Sequence, residues 1–231
     1  TFRVVLDGTY NKSVCLDLET YLIRLFNADQ KFNVLNKQTS SRNSNYYDRH
    51  RYRDGFEDVF EFLKSEGLFT STKSLEDIEN SNLFKLSPFV SLTQTQALAV
   101  AEILEKIIHP APDCTGEPIV VQGDPGTGKT VVAVFLAKLL ADTDQHLDDA
   151  LDDDSYTELI DGPDREKLRD LKIGVVVPQQ SLRKTIQSVF KATPALASVP
   201  VMTAFDVAES PEPFDVLLVD DIQFIAGKDR T

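Results

Sequence analysis

The sequence predicts an α/β chain: a parallel sheet with helices on both faces, preceded by a small, partial α+β module. Three observations carry that prediction. From Leu92 onward, short apolar runs alternate with stretches of helical spacing, the pattern of strands buried on both sides by crossover helices. A glycine-rich loop, Gly123 to Thr130, lies between the apolar run Pro118 to Val121 and the helical pattern Val131 to Leu140. Near the end, the apolar strand Val216-Leu217-Leu218-Val219 runs straight into Asp220-Asp221.

Composition sets the limits. The 231 residues are enough for two small domains or one large one, and a hydrophobic content of 42% permits a sizeable core. Net charge is −13 and the pI about 4.6, so nucleic-acid contact, if made, must come from a local patch. No window reaches about 18 apolar residues, so no membrane partner is expected. Cys15 and Cys114 have no metal-like spacing and, with the glycine loop, point to a reducing cytoplasm. The chain opens without Met inside a strand-like run, Phe2 to Leu6, and ends without a terminating pattern, as a fragment cut at both ends would.

The elements follow in order. Residues 1–35 read as strand, Asp7-Gly8 turn, helix and short extension, the helix carrying Leu16, Leu18, Leu22, Ile23, Leu25 and Phe26. Residues 36–54 are polar: Thr39 to Asn45 is Ser/Asn-rich, and Arg42 to Arg53 interleaves Arg and His with Tyr46, Tyr47 and Tyr52, a mixture able to bind phosphates and stack on bases. Phe56 to Leu63 has helical spacing with Gly67 as its stop, and Leu75 to Leu86 is short and amphipathic. Ser87-Pro88 marks the junction, giving domains 1–87 and 88–231. A helix opens at Leu92-Thr93 and runs to Ile108. Strand Ile119–Val121, helix Lys129–Leu140 and an acidic, solvated insertion from Asp142 to Asp170 come next. Strand Ile173–Val177, helix Ser181–Phe190, strand Val199–Thr203 and strand Phe214–Val219 complete the pattern.

Gly123-Asp124-Pro125-Gly126-Thr127-Gly128-Lys129-Thr130 fits the phosphate-binding P-loop, G-x-x-x-x-G-K-[ST], without mismatch. Glycines let backbone N–H groups turn around phosphate oxygens, and the following helix adds its positive dipole end. Lys129 is expected to reach the β- and γ-phosphates and Thr130 to hold Mg²⁺ through its hydroxyl. The strand ending at Asp220 fits the Walker B pattern, in which a buried strand delivers a carboxylate to the metal beside the loop. Asp220 takes that role, and Asp221 stands where a Glu orients the attacking water, one methylene shorter. The expected fold is thus a P-loop NTPase domain that takes ATP and Mg²⁺.

Three further pieces resemble superfamily-1 helicases and translocases. Leu92-Thr93-Gln94-Thr95-Gln96 resembles the Q-motif, in which a glutamine amide reads the adenine edge; Gln96 fits, with Gln94 as the fallback. Val175-Val176-Val177-Pro178 with Ser181-Leu182-Arg183 resembles motif Ia, which touches a nucleic-acid backbone. Asp220-Asp221-Ile222-Gln223 resembles motif II, D-E-x-Q, where Gln223 would couple the phosphate site to the strand track. Over most of its length the chain resembles a bacterial family of DNA/RNA helicase domains, Schlafen-like in their ATPase part, that often carry a GIY-YIG nuclease-like domain in front. That family usually has D-E-A-H where this chain has Asp220-Asp221-Ile222-Gln223. Phe214 to Thr231 is instead similar to the Walker B region of bacterial replication initiators of the DnaA family.

Ser13 to Ile23, then Lys31-Phe32-Asn33-Val34, resembles the back half of a GIY-YIG nuclease. The resemblance implies Glu19 as its metal-binding acid and Asn33 as the Asn of its Y/F-N-V segment; an ordinary helix acid is the other reading of Glu19. No GIY or YIG triplet occurs, so nuclease activity is not expected. The resemblances together imply an ATP-hydrolysing helicase or translocase domain that draws its arginine finger from another motor lobe or subunit and DNA or RNA as partner. The alternatives are an AAA+ initiator-type ATPase and a nucleotide-binding regulatory module without turnover.

Overall fold

The computed structural model describes residues 4–34, 46–90, 92–110, 116, 118–145 and 162–220. The chain divides into two units, Thr1–Ser91 and Leu92–Thr231.

In the first unit every regular element among the described residues is a helix. α1 (Lys12–Asp29) starts where the Asn11 side chain accepts a hydrogen bond from the N–H of Val14 and stops at Gln30, which takes a left-handed conformation. α2 (Arg49–Ser65) closes through Gly67, whose φ of 75° lets the chain reverse. Ser74 and Asp77 form a capping box for α3 (Leu75–Asn80), and the Ser81 hydroxyl caps α4 (Asn82–Lys85). The amphipathic stretch Leu75–Leu86 is therefore two helices, because Ser81 offers the backbone a new start.

Their apolar faces make one core. Leu18, Tyr21 and Leu25 of α1 meet Phe56, Phe60 and Leu63 of α2, with Phe69, Ile78 and Phe84 closing the cluster. Phe26 stacks on Phe69 with ring centroids 4.4 Å apart. Polar ties fix the register. Buried Asp17 takes two hydrogen bonds from Arg49, at 2.8 and 2.9 Å, and one from the Tyr46 hydroxyl at 3.1 Å. Arg24 donates to the carbonyl of Phe84 at 3.1 Å and lies 4.0 Å from the centroid of its ring. Burial, and then the charge of Arg53, pushes the Arg24 guanidinium down to about 10.

The α+β expectation for this unit is corrected accordingly. Residues 4–6 of the expected Phe2–Leu6 strand are irregular, and Val4 and Leu6 are exposed. An extended run becomes a strand only against a partner. Here the chain turns at once: Asp7 accepts hydrogen bonds from the N–H and the hydroxyl of Thr9.

The second unit is mixed α/β. α5 (Gln94–Ile108) is followed by α6 (Lys129–Gln145), α7 (Gly162–Leu168), β1 (Ile173–Val176) and α8 (Gln180–Ala192). A 3₁₀ turn at Pro194–Leu196, β2 (Val201–Met202), α9 (Ala204–Ala208) and β3 (Val216–Val219) complete it. The strands form one parallel sheet in the order β2-β1-β3. Val175 pairs with Val201 and Leu218, and Val176 with Met202 and Val219. Every residue of central β1 is buried, as its unbroken apolar sequence requires. α6 packs on β1, and α8 on β2. Gly174 makes room for β3, since a Cβ there would meet Leu217 and Phe214 at 3.0 Å.

Two expectations for the sheet are corrected. Pro118–Val121 forms no strand; it is irregular, and Val120 is 60% exposed. Nor is β3 covered on both faces: its residues alternate, with Leu217 and Val219 exposed. Both runs have strand propensity, but propensity is realised only through a ladder and a packed face. Among the described strands β3 has one neighbour, and Pro118–Val121 has none. α6 also runs past Leu140 to Gln145, since no breaker intervenes and Asp142 pairs with Lys138 one turn back. α7 lies within the acidic segment and anchors through buried Leu168.

Candidate functional site

Residues Gly123–Thr130 lead into α6, which begins at Lys129. Gly126 and Gly128 have φ of 81° and 87°, the left-handed region that side chains resist. Gly123 is needed for room, since a Cβ there would stand 2.8 Å from the Thr127 hydroxyl. Sharp turning at these glycines brings the first turn of α6, whose N–H groups have no intrahelical acceptor, to the end of the loop.

The loop is held by its own side chains. The carbonyl oxygen of Asp124 accepts from the Thr127 hydroxyl at 2.8 Å and from Lys129 Nζ at 3.0 Å; Nζ also donates to the carbonyl of Gly123 at 2.8 Å. Lys129 therefore folds back along the loop, with its charge on two neutral carbonyls that an anion could outbid.

Thr130, in the first turn of α6, donates its hydroxyl to Asp220, 3.3 Å from Oδ1 and 3.1 Å from Oδ2. Asp220 stands just past β3 and extends its ladder, its N–H bonding the carbonyl of Val176 at 2.9 Å. The sheet thus fixes the backbone that carries the carboxylate, and α6 fixes the hydroxyl. Two hard oxygen donors side by side fit an octahedral Mg²⁺, which takes one or two protein oxygens and fills its shell with water and phosphate. Among the described residues no group of three His, Cys, Asp or Glu side chains gathers as a metal cluster.

Gln96 joins this assembly from α5. Its Oε1 accepts from the N–H of Thr93 at 3.0 Å, while the Thr93 hydroxyl accepts from the N–H of Gln96 at 3.3 Å, a capping box. Its Nε2 donates to the carbonyl of Thr127 at 2.9 Å. Both ends of the amide expected to face an adenine are therefore engaged within the protein. The T-x-x-Q spacing that signals a capping box is present in the sequence at Thr93–Gln96, and it marks Thr93 as the N-cap of α5, outside the loop itself.

The structure therefore brings together Gln96, Gly123, Asp124, Thr127, Gly128, Lys129, Thr130 and Asp220, with Pro125 and Gly126 on the connecting turn. Asp221 and Gln223 lie outside the described residues, as do Cys114 and Thr39–Asn45. At the motif Ia position Arg183 donates to the carbonyls of Val177 and Pro178, at 2.8 and 3.2 Å, and so caps the end of β1.

In the first unit Glu19 is a half-buried residue of α1, and Asn33 is exposed beyond its end. The described part of the basic run turns largely inward. Tyr46 and Arg49 bind Asp17, Tyr52 packs edge-on to Tyr10, and Arg53 lies over the Tyr21 ring. Tyr47, His50 and Arg51 remain exposed. Burial, followed by the charge of Asp17 and its hydrogen bond, pushes the Tyr46 hydroxyl up to about 12. The Asp17 hydrogen bond likewise raises the Arg49 guanidinium. No helix among the described residues is long and apolar enough to cross a membrane. No protein-family model, curated protein or solved structure matches the chain.

Proposed function

We propose that residues 92–231 form a P-loop NTPase domain that binds and hydrolyses ATP, of DNA/RNA helicase or translocase type. One observation carries the reading: the Thr130 hydroxyl meets the Asp220 carboxylate at 3.1 Å. The residue after the glycine-lysine pair and the acid that ends an apolar strand are far apart in sequence, and a triphosphate–metal site requires them side by side.

In this reading Lys129 leaves the carbonyls of Gly123 and Asp124 for the β- and γ-phosphates, exchanging neutral acceptors for charged ones. Thr130 and Asp220 hold Mg²⁺, which neutralises charge on the phosphate oxygens. The first-turn N–H groups of α6 bind the phosphates and fix their orientation. Asp221 orients water for in-line attack, and an arginine from another lobe or subunit completes the site. Tyr47, His50 and Arg51 are the exposed members of the basic run left for DNA or RNA contact. No nuclease role is proposed for the first unit. The similarity of Phe214–Thr231 to replication initiators favours a second reading, an AAA+ switch, in which ATP drives self-assembly.

Calorimetric titration with Mg-ATP tests the proposal. Lys129→Ala removes a charged phosphate contact worth about 1.5–3 kcal/mol, a roughly 10- to 150-fold loss of affinity. Equal affinities for wild type and variant would sink it.

A further inference from the structure

We propose that Gln96 is a positioning residue of the phosphate loop and does not select the base. The inference rests on the nucleotide-site reading above and deepens it. An amide that reads adenine must present one donor and one acceptor to the ring edge. In this chain Oε1 accepts from the N–H of Thr93 at 3.0 Å and Nε2 donates to the carbonyl of Thr127 at 2.9 Å, so the plane of the amide is pinned between the start of α5 and the loop. Turning to a base would break the capping box of α5 and the bond to the loop together.

What the second bond does follows from peptide geometry. The Thr127–Gly128 peptide is planar and trans, so its C=O and N–H point to opposite sides. Gln96 holds the carbonyl towards α5. The N–H of Gly128 is thereby aimed away from α5, fixed before any ligand arrives. An amide that must donate to a phosphate oxygen gains from being fixed in advance, because binding then loses less conformational freedom.

Gly128 shows how closely the two are fitted. A Cβ at this position would lie 2.5 Å from Gln96 Nε2. The glycine thus serves two needs, its φ of 87° and the space that the Gln96 amide takes where a Cβ would stand. The ligand group that senses Gln96 is therefore the phosphate chain, common to every nucleoside triphosphate.

The test compares ATP, GTP and inorganic tripolyphosphate, each with Mg²⁺, by calorimetry on the full chain. Gln96→Met keeps the length and neutrality of the side chain and loses the tether. Thr93→Val removes the other half of the capping box and leaves the tether intact. Gln96→Met is expected to weaken all three ligands equally, by roughly 2- to 10-fold, the loss of one neutral hydrogen bond. Thr93→Val is expected to change none of them by as much as about 2-fold, with helix content by circular dichroism checked for both variants. Loss of ATP affinity alone in Gln96→Met would show that Gln96 reads the base and overturn the proposal. So would unchanged affinities, or an equal loss in Thr93→Val, which would make Gln96 a helix cap only. If wild type binds none of the three ligands, the nucleotide-site reading itself falls, and this inference with it.

Discussion

Arg49→Met tests whether the first unit depends on the tie between α1 and α2. The substitution keeps most of the apolar stem and deletes the guanidinium. Two charge-assisted hydrogen bonds to Asp17, of 2.8 and 2.9 Å, are lost. Each is worth about 1.5–3 kcal/mol when shielded from water. The Arg49 side chain is 35% exposed, so solvent screening reduces that sum, whereas Asp17 is 4% exposed and, among the described residues, keeps the Tyr46 hydroxyl. The expected cost is about 3 kcal/mol, the low end for breaking a buried pair. Asp17→Leu leaves its partner partly in water and should cost about half as much. The double variant, which strands no charge, should lie within about 1.5 kcal/mol of wild type, a coupling of at least about 3 kcal/mol. Urea unfolding followed by tyrosine fluorescence suits the question: the chain has no Trp, and Tyr10, Tyr21, Tyr46, Tyr47 and Tyr52 all lie in the first unit, leaving only Tyr156 outside it. With a slope of about 1.5 kcal/mol/M, Arg49→Met should lower the midpoint by about 2 M. A shift below roughly 0.3 M, or additive effects in the double variant, would refute the reasoning.

Further outcomes are expected. The hydroxyl of Tyr46 has its pKa raised from 10.0 to about 12, so its contribution is fully present below pH 10 and is lost as pH rises towards 12; urea midpoints of wild type and Tyr46→Phe should converge across that window, and parallel curves would exclude the effect. Asp220→Asn should abolish the Mg²⁺ dependence of ATP affinity, measured by titration with and without the metal, while retaining the wild-type fold; an unchanged dependence would remove Asp220 from the metal site. Gly126→Ala meets no atom within 4 Å and suffers backbone strain alone, about 1–2 kcal/mol, whereas Gly128→Ala also strikes Gln96 Nε2. Gly128→Ala should therefore destabilise more, and adding Gln96→Ala should recover part of the difference in thermal unfolding; strict additivity of the two changes would contradict the contact.

What the sequence disclosed, and what it withheld, divides along the line between local and distant causes. Thr93-x-x-Gln96 announces the start of α5, Gly67 the end of α2, and the glycine loop the start of α6, because each is decided within a few residues. β1 is legible because its apolar run is realised as a fully buried strand with a neighbour on each side. By contrast, Pro118–Val121 has the same apolar character and forms no strand, since a ladder depends on a neighbour that local sequence cannot specify. The bond from Arg49 to Asp17 spans α1 and α2 and leaves no periodic trace, so the basic run reads as a free patch until the fold shows where its members point. Gln96 is visible as a residue of interest, and the T-x-x-Q spacing accounts for its bond to Thr93, but its bond to Thr127 is not legible, because that partner is a carbonyl across the loop.

The bond from the Asp220 N–H to the Val176 carbonyl has a mechanical consequence. A carboxylate on a loose turn would swing when pulled, and the pull would dissipate locally. Asp220 is instead clamped to the end of β1, where the next residue, Val177, donates to Met202 and has its own carbonyl gripped by Arg183 from α8. A load applied at the carboxylate is therefore borne across the sheet and handed to the first turns of α8 through short, nearly inextensible links. Elements well separated from the glycine loop along the chain, β1, β2 and α8, are thus joined by a short run of hydrogen bonds to the acid that meets it.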